Sequence, residues 1–318
     1  MARWPGHATT GAAGEDPAGQ AMTPSRVLVQ LDCDPQPSVF DAIVAVDAGA
    51  HVLLRHGGVT PENVVGLVHG AMFTRGGADL ASTAIFVGGS DVAAAEGVFA
   101  KIKKTFFGPV RVSMLLDPAG ANTTASAAVV AAGRHLPLGD PAAAASLRAV
   151  VLGGTGPVGQ RVARLLVRKG VGVTVASRSL SRAEEVCGRI TAAVPGSRVE
   201  PAHADATITP GTPFAGVLAE ADLIVAAGAA GATLLGAAGR DLAGRARVLI
   251  DLNAVPPAGI EGIAATDKAR QHGVAFVYGA LGVGGTKMKI HRAAIRRLFE
   301  SNDAILDAEE LLAIGESL

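Results

Sequence analysis

Short apolar runs alternate with helical spacings along most of the chain. Val27, Leu28, Val29 and Leu31 make Arg26–Asp32 a buried strand, and His51–Leu54, Thr83–Val87 and Arg111–Leu116 read the same way. The stretches between them have another period. Ser38 suits a helix N-cap, and Val39–Asp47 follows with Phe40, Ile43 and Val44 predicted inward. Thr60-Pro61 starts a second helix that continues through Val64–Gly70, with proline at the first helical position. Asp91–Lys104 is amphipathic, and the Asp117–Thr124 loop feeds a helix through Ala132. Strand and helix in strict alternation predict one α/β unit with a parallel sheet.

The same alternation resumes after a mixed Gly, Pro and charged stretch, 133–141, which reads as a linker. Strands are predicted at Ala149–Leu152, Val171–Ala176, Leu223–Ala227, Val248–Leu252 and Phe276–Tyr278. Gln160–Lys169, with Val162, Leu165 and Leu166 on one face, is a helix. Gly282–Gly285 reads as a hinge, and helices at Lys287–Glu300 and Asp307–Ile314 are expected to return to the first unit. The expected architecture is therefore α/β with two domains and a cleft between them. One is a Rossmann-type dinucleotide-binding domain at 134–282, and the other an α/β substrate domain of 26–133 plus 283–318. Residues 1–25 lack periodicity and read as a disordered leader without the apolar core of a secretory signal; translation could start at Met1 or Met22.

The chemistry enters at Val150-Val151-Leu152-Gly153-Gly154-Thr155-Gly156-Pro157-Val158-Gly159. A strand, a Gly154-x-Gly156-x-x-Gly159 turn and a helix stand in the order a dinucleotide site requires. The first glycine is expected to make the tight turn, the second to admit the pyrophosphate, and the third to let helix and strand pack. The helix N-terminus offers N–H groups and a positive dipole end to the anion. The competing reading is a structural glycine turn. After the next strand come Ser177-Arg178-Ser179-Leu180-Ser181-Arg182, where an NAD-selective site carries a carboxylate. Guanidinium groups there suit a 2′-phosphate, so NADP is expected, with NAD use left open. The alternative is an arginine in solvent at a helix start. Ala227, Gly228, Asp251 and Asn253 follow later strands, where ligands of open parallel sheets bind.

Composition narrows the partners. Formal net charge is zero, which leaves no basic field for nucleic acid or an anionic membrane. The longest apolar run, Leu223–Ala238, is broken by glycine and suits a strand and loop rather than a membrane span. Cys33 and Cys187 form no disulfide framework and suit a reducing cytoplasm. His56, His69 and His291 show no metal-ligand spacing, and no metal is assigned.

Several further motifs resemble the NAD(P)-dependent methylene-tetrahydromethanopterin dehydrogenases. They are Leu31-Asp32-x-Asp34-x-x-Pro37-Ser38-Val39-Phe40-Asp41, Phe73-Thr74-Arg75-Gly76-Gly77, Ser82–Gly89, Phe106-Phe107-Gly108-Pro109, Asn122-Thr123-Thr124-Ala125, the Gly154–Gly159 loop, Asp251-x-Asn253-Ala254-x-Pro256-Pro257, Gly262-Ile263, Ala265-Thr266-Asp267-Lys268, Gly279–Gly282, Gly284-Gly285-x-Lys287-x-Lys289-x-His291-Arg292, and Leu298-Phe299-Glu300. The resemblance covers the chain from Arg26 onward, apart from the segment Leu136–Ser146. It implies hydride transfer from a methylene group bridging two nitrogens of a reduced pterin, in bacterial one-carbon metabolism and formaldehyde oxidation. It also implies a homotrimer with the active site between domains, and tetrahydrofolate as a substrate of some members.

Such a reaction removes no proton in the hydride step, so positioning should carry most of the catalysis. Lys287 matches the family's motif lysine and is the catalytic candidate, as a hydrogen-bond donor to the pterin; the alternative is a helix-start lysine in solvent. Asp34 and Asp41 could bind an amino-pyrimidine edge and Phe40 stack on it, against a core role for Phe40. Asn122 and Thr123 stand at a helix N-terminus, as substrate contacts or simple caps. A methylene-tetrahydrofolate or shikimate-type NADP dehydrogenase is the rival enzyme, and an NADP-sensing module without turnover the rival class.

Overall fold

The computed structural model describes residues 24–204, 208 and 210–318. The leader lies outside them except for Pro24 and Ser25. The first sheet is built from β1 (Val27–Asp32), β2 (Val52–His56), β3 (Thr83–Gly88), β4 (Ser113–Leu116) and β12 (Ile305–Leu306), in the order β12-β4-β3-β1-β2, all parallel. Around it run α1 (Val39–Asp47), α2 (Val64–Phe73), α3 (Val92–Thr105) and α4 (Ala121–Gly133). Strand order reverses between β1 and β3, so the loops after these two strands open a crevice at the carboxyl edge.

After the short α5 (Pro141–Ala144), the second sheet takes β5 (Arg148–Leu152), α6 (Pro157–Arg168), β6 (Gly172–Ser177), α7 (Leu180–Ala193), β7 (Val199–His203), α8 (Pro213–Ala219), β8 (Leu223–Ala226), α9 (Ala237–Leu242), β9 (Val248–Asp251), β10 (Lys268–His272) and β11 (Ala275–Tyr278). Its order is β10-β11-β9-β8-β5-β6-β7, parallel except for the β10 edge. The six parallel strands have the doubly wound order of dinucleotide-binding folds, with the switch point between β5 and β8. The chain then enters α10 (Ala280–Arg297), β12 and α11 (Ala308–Glu316), and both helices pack on α4.

Three differences from the sequence reading matter. Gly282–Gly285 is no hinge; it forms the opening turns of α10. Gly282 is buried, and a Cβ there would run into the Asp267 carbonyl, so this glycine serves close helix–loop packing. Phe40 and Ile43 do not point inward. α1 buries Ala42, Val44 and Ala45 and leaves Val39, Phe40, Ile43 and Val46 more than half exposed. Small residues let α1 lie close to the sheet, so the large ones turn outward. Finally, β7, β10 and β12 have no apolar alternation: two are exposed edges, and the third is two residues long.

The two sheets share one hydrophobic core through α4, α6, α10 and α11. Polar contacts sew the same seam. Arg164 and Arg168 on α6 pair with Glu309, and Lys169 with Glu316, on α11. His135 stacks on Phe276 at 4.0 Å and meets the Tyr278 hydroxyl at 2.8 Å.

Candidate active site

The glycine turn after β5 follows from backbone need. Gly153, one residue before the motif, holds the left-handed conformation (φ +66°), and a Cβ on it would meet the Gly228 backbone at 2.5 Å. The tight turn therefore belongs to Gly153 rather than Gly154. Gly154 is needed because a Cβ there would press on Val151 and Val175 at 2.9 Å, and Gly159 because one would press on the Gly153 carbonyl at 2.7 Å. Gly156 is the N-cap of α6 and supplies no side-chain cap, with Pro157 next. The N–H groups of Val158 and Gly159 then lack intrahelical acceptors and are open to an anion. Thr155 Oγ1 stands 3.4 Å from Ser177 Oγ.

Ser179 caps α7 by accepting from the Arg182 N–H. Arg178 and Arg182 are exposed beside this helix start, and neither guanidinium bonds to a described residue. Arg178 stands one residue before the Ser179 N-cap and Arg182 in the first turn of α7, so both charges lie at the helix N-terminus. Ala227 and Gly228 follow β8 beside the glycine turn, where the Ala227 N–H donates to the Leu152 carbonyl. Asp251 and Asn253 end β9, and their side chains are occupied. The Asp251 carboxylate accepts from the Asn253 and Ile260 N–H groups, and Asn253 Nδ2 donates to the Pro257 carbonyl. Burial pushes the Asp251 pKa up. An apolar cavity lined by Leu180, His203, Phe214 and Val217 opens beside the α7 start.

Across the seam, α10 brings Lys287 to the first sheet. Lys287 lies in its third turn, not at a helix start. Its Nζ sits 5.5 Å over the Phe40 ring. Gly120, left-handed at φ +63°, leaves the space that this ammonium fills, since a Cβ there would collide with it. Asp41 follows Phe40, and its side chain is only 12% exposed. Burial and the facing Asp117 raise the Asp41 pKa to about 7, against a Ser38 hydrogen bond and the Lys287 charge, which lower it. Asp34 lies in the β1–β3 crevice with its carboxylate held by the Ser90 N–H (3.0 Å) and hydroxyl (2.8 Å).

Asn122 and Thr123 are fully buried, and their polar atoms are committed to protein. Asp117 accepts from both N–H groups and from the Thr123 hydroxyl, so these residues build the β4–α4 turn below the cleft. Asn122 Nδ2 donates to the Leu116 carbonyl (2.7 Å) and to Asp307 (2.8 Å), while its Oδ1 accepts from Arg161. Arg161, buried on α6, also reaches Glu96 (2.8 Å) and the Pro157 carbonyl. This junction ties the start of α6 to the β4–α4 turn, where Gly120 lies against Lys287. Arg161, Asp117 and Gly120 carry no local sequence signal. His291 did carry one: it stands four residues after Lys287, on the same helix face. Among the described residues there is no cluster of metal-ligating side chains and no helix long and apolar enough to cross a membrane.

Residues 39–119 match the family model described as methylene-tetrahydromethanopterin dehydrogenase, N-terminal. A curated relative, the bifunctional protein MdtA of Methylorubrum extorquens, is 42% identical over 92% of this chain and 99% of its own. The NAD(P)-dependent methylenetetrahydromethanopterin dehydrogenase of the same organism is 31% identical over 84% of this chain and 90% of its own. In fold, the chain resembles quinate dehydrogenase from Corynebacterium glutamicum in complex with NAD, with a TM-score of 0.51 at 18% identity over 92% of this chain and 99% of that one.

Proposed function

The chain belongs to the methylene-tetrahydromethanopterin dehydrogenase family, and we propose that it transfers a hydride from methylene-tetrahydromethanopterin to NADP, giving the methenyl form in one-carbon metabolism. The observation that carries the reading furthest is the meeting of Lys287, Phe40 and Asp41 at one place, in a chain 31% identical over 84% of its length to an NAD(P)-dependent methylenetetrahydromethanopterin dehydrogenase. We assign 26–133 with 283–318 to the pterin half and 134–282 to the cofactor half.

Each residue then has a task. The N–H groups at the start of α6 receive the pyrophosphate, and Arg178 and Arg182 receive the 2′-phosphate. The absence of a carboxylate at Ser177–Arg178 supports NADP, and NAD binds without the two guanidinium contacts to a 2′-phosphate. When bound, the dinucleotide supplies the nicotinamide that accepts the hydride. Phe40 stacks on the pterin, Asp41 takes the donor edge of its amino-pyrimidinone ring, and Lys287 donates to the ring system to fix its pose. The product cation is delocalised over two nitrogens, so the site needs no general base in the hydride step. Gly120 leaves Lys287 its place, while Asn122 and Thr123 hold the floor through Asp117.

The exposed apolar face of α1, with Val39, Ile43 and Val46 at helical spacing, supports a homo-oligomer, and the family resemblance a trimer. The unpaired Cys33 and Cys187 suit a reducing cytoplasm. Anaerobic assays with methylene-tetrahydromethanopterin and methylene-tetrahydrofolate, following NADPH and NADH absorbance, test the reading. NADPH formation with the methanopterin substrate is expected. No reduction of either nucleotide by either pterin would refute it.

A further inference from the structure

His291 is fully buried on α10, one helical turn beyond Lys287, and neither of its ring nitrogens has a hydrogen-bond partner. A neutral imidazole always carries one N–H donor, and burying it unpaired is costly. The ring cannot easily turn away. It stacks on Phe86, with centroids 5.8 Å apart and planes 21° from parallel, and Phe40 flanks it at 6.4 Å. Its Nε2 lies 4.0 Å from Asp41 Oδ1, about 1 Å beyond hydrogen-bond length. The charged groups acting on this pair are Asp117 from the β4–α4 turn, Asp32 from β1, and Lys287 and Arg292 from α10 itself. Burial pushes the His291 pKa below its ordinary value, so the ring is a neutral donor rather than a cation.

We propose that His291 is the positioning residue for Asp41: when the reduced pterin binds, its Nε2–H closes onto one carboxylate oxygen and holds the other toward the amino-pyrimidinone edge. A ring stacked on Phe40 covers the Asp41 carboxyl and strips its remaining water, which leaves the Ser38 hydroxyl and the His291 Nε2–H as the donors within reach. The movement required is a small rotation of the Asp41 side chain, since the imidazole is clamped. The donor also favours the ionised carboxylate, the form that can accept two N–H groups of the pterin. This assignment rests on the pterin reading of the cleft.

The test is steady-state kinetics of His291→Phe and His291→Gln at saturating NADP, with methylene-tetrahydromethanopterin varied from about pH 6 to about pH 9. His291→Phe keeps the aromatic stack and loses the donor. It should raise the pterin KM on the order of 10-fold, change kcat by less than about threefold, and leave the NADP KM unmoved. The acid limb of kcat, which reports the pterin complex where the bond is made, should move to higher pH. The glutamine amide nitrogen reaches as far as Nε2 and should restore most of the KM. A wild-type KM and pH limb in His291→Phe would overturn the assignment, as would equal damage in both variants, which is the signature of packing alone. Should the phenylalanine variant fail to fold, the ring ¹⁵N signals of His291 in the wild-type NADP complex decide. Adding the pterin should move one of them to a hydrogen-bonded position, and unchanged signals refute the role. Wild-type turnover separates the two claims: its absence removes the pterin reading and this one together, whereas turnover with an unmoved His291→Phe removes only His291.

Discussion

Replacing Asp41 with Asn should make the protein more stable and a poorer enzyme at once. The Asp41 side chain is 12% exposed, and burial is the largest reason its pKa stands at about 7 rather than 3.8. Below about pH 4 the carboxyl is protonated in both folded and unfolded chains and costs nothing. Between about pH 4 and about pH 7 the unfolded chain has lost the proton and the folded chain still holds it, so stability falls as pH rises. Above about pH 7 the folded form carries a buried charge at its full cost. Each tenfold difference in acidity is worth ~1.4 kcal/mol, so the gap is on the order of 4 kcal/mol, an upper value before the site relaxes. Asn is neutral throughout and keeps an oxygen for Ser38. Urea unfolding without ligands should therefore show a gain of about 2 kcal/mol or more at pH 8, and less than half of that gain at pH 5. The same variant should bind the pterin weakly, since an amide cannot accept from two donors in the way a carboxylate does. A gain independent of pH, or a loss at both values, would refute the reasoning: Asp41 would then be held by contacts that outweigh its desolvation.

Lys287→Ala should lower kcat on the order of 100-fold through a misplaced pterin, with NADP affinity nearly unchanged because the phosphate contacts lie across the seam; near-normal turnover would return Lys287 to a packing role over Phe40. Arg178→Asp should weaken NADP far more than NAD by turning a charge-assisted contact into a repulsion, and an unchanged NADP/NAD ratio of kcat/KM would contradict that placement. Asn122→Ala strips Arg161 of a buried acceptor and leaves the Leu116 carbonyl and Asp307 short of a donor, so unfolding should become easier by roughly 2–4 kcal/mol, read from denaturant midpoints at constant slope.

The periodicities alone located nearly every buried strand, because a parallel sheet covered on both faces needs continuous apolar runs, and those runs are local. The glycine turn, the cations after β6 and the family were legible for the same reason: each is a contiguous motif. What the chain could not state locally was which face of α1 turns inward. Ala42 and Ala45 won over Phe40 and Ile43 because close approach to the sheet left no room for the larger side chains. Nor could it show that Gly282–Gly285 would run as helix, which follows from the Asp267 backbone lying against Gly282. The edge strands were silent, since an exposed or two-residue strand needs no pattern of its own. The inner site is tertiary altogether. Asn122 and Arg161 are 39 residues apart and meet only when α4 packs on α6. His291 and Asp41 face each other because α10 crosses back over α1, and the low dielectric of that crossing gives both their shifted acidities. Motifs that act through backbone are written in consecutive residues; groups that act through burial and opposed charge acquire their chemistry only from the neighbours the fold assigns them.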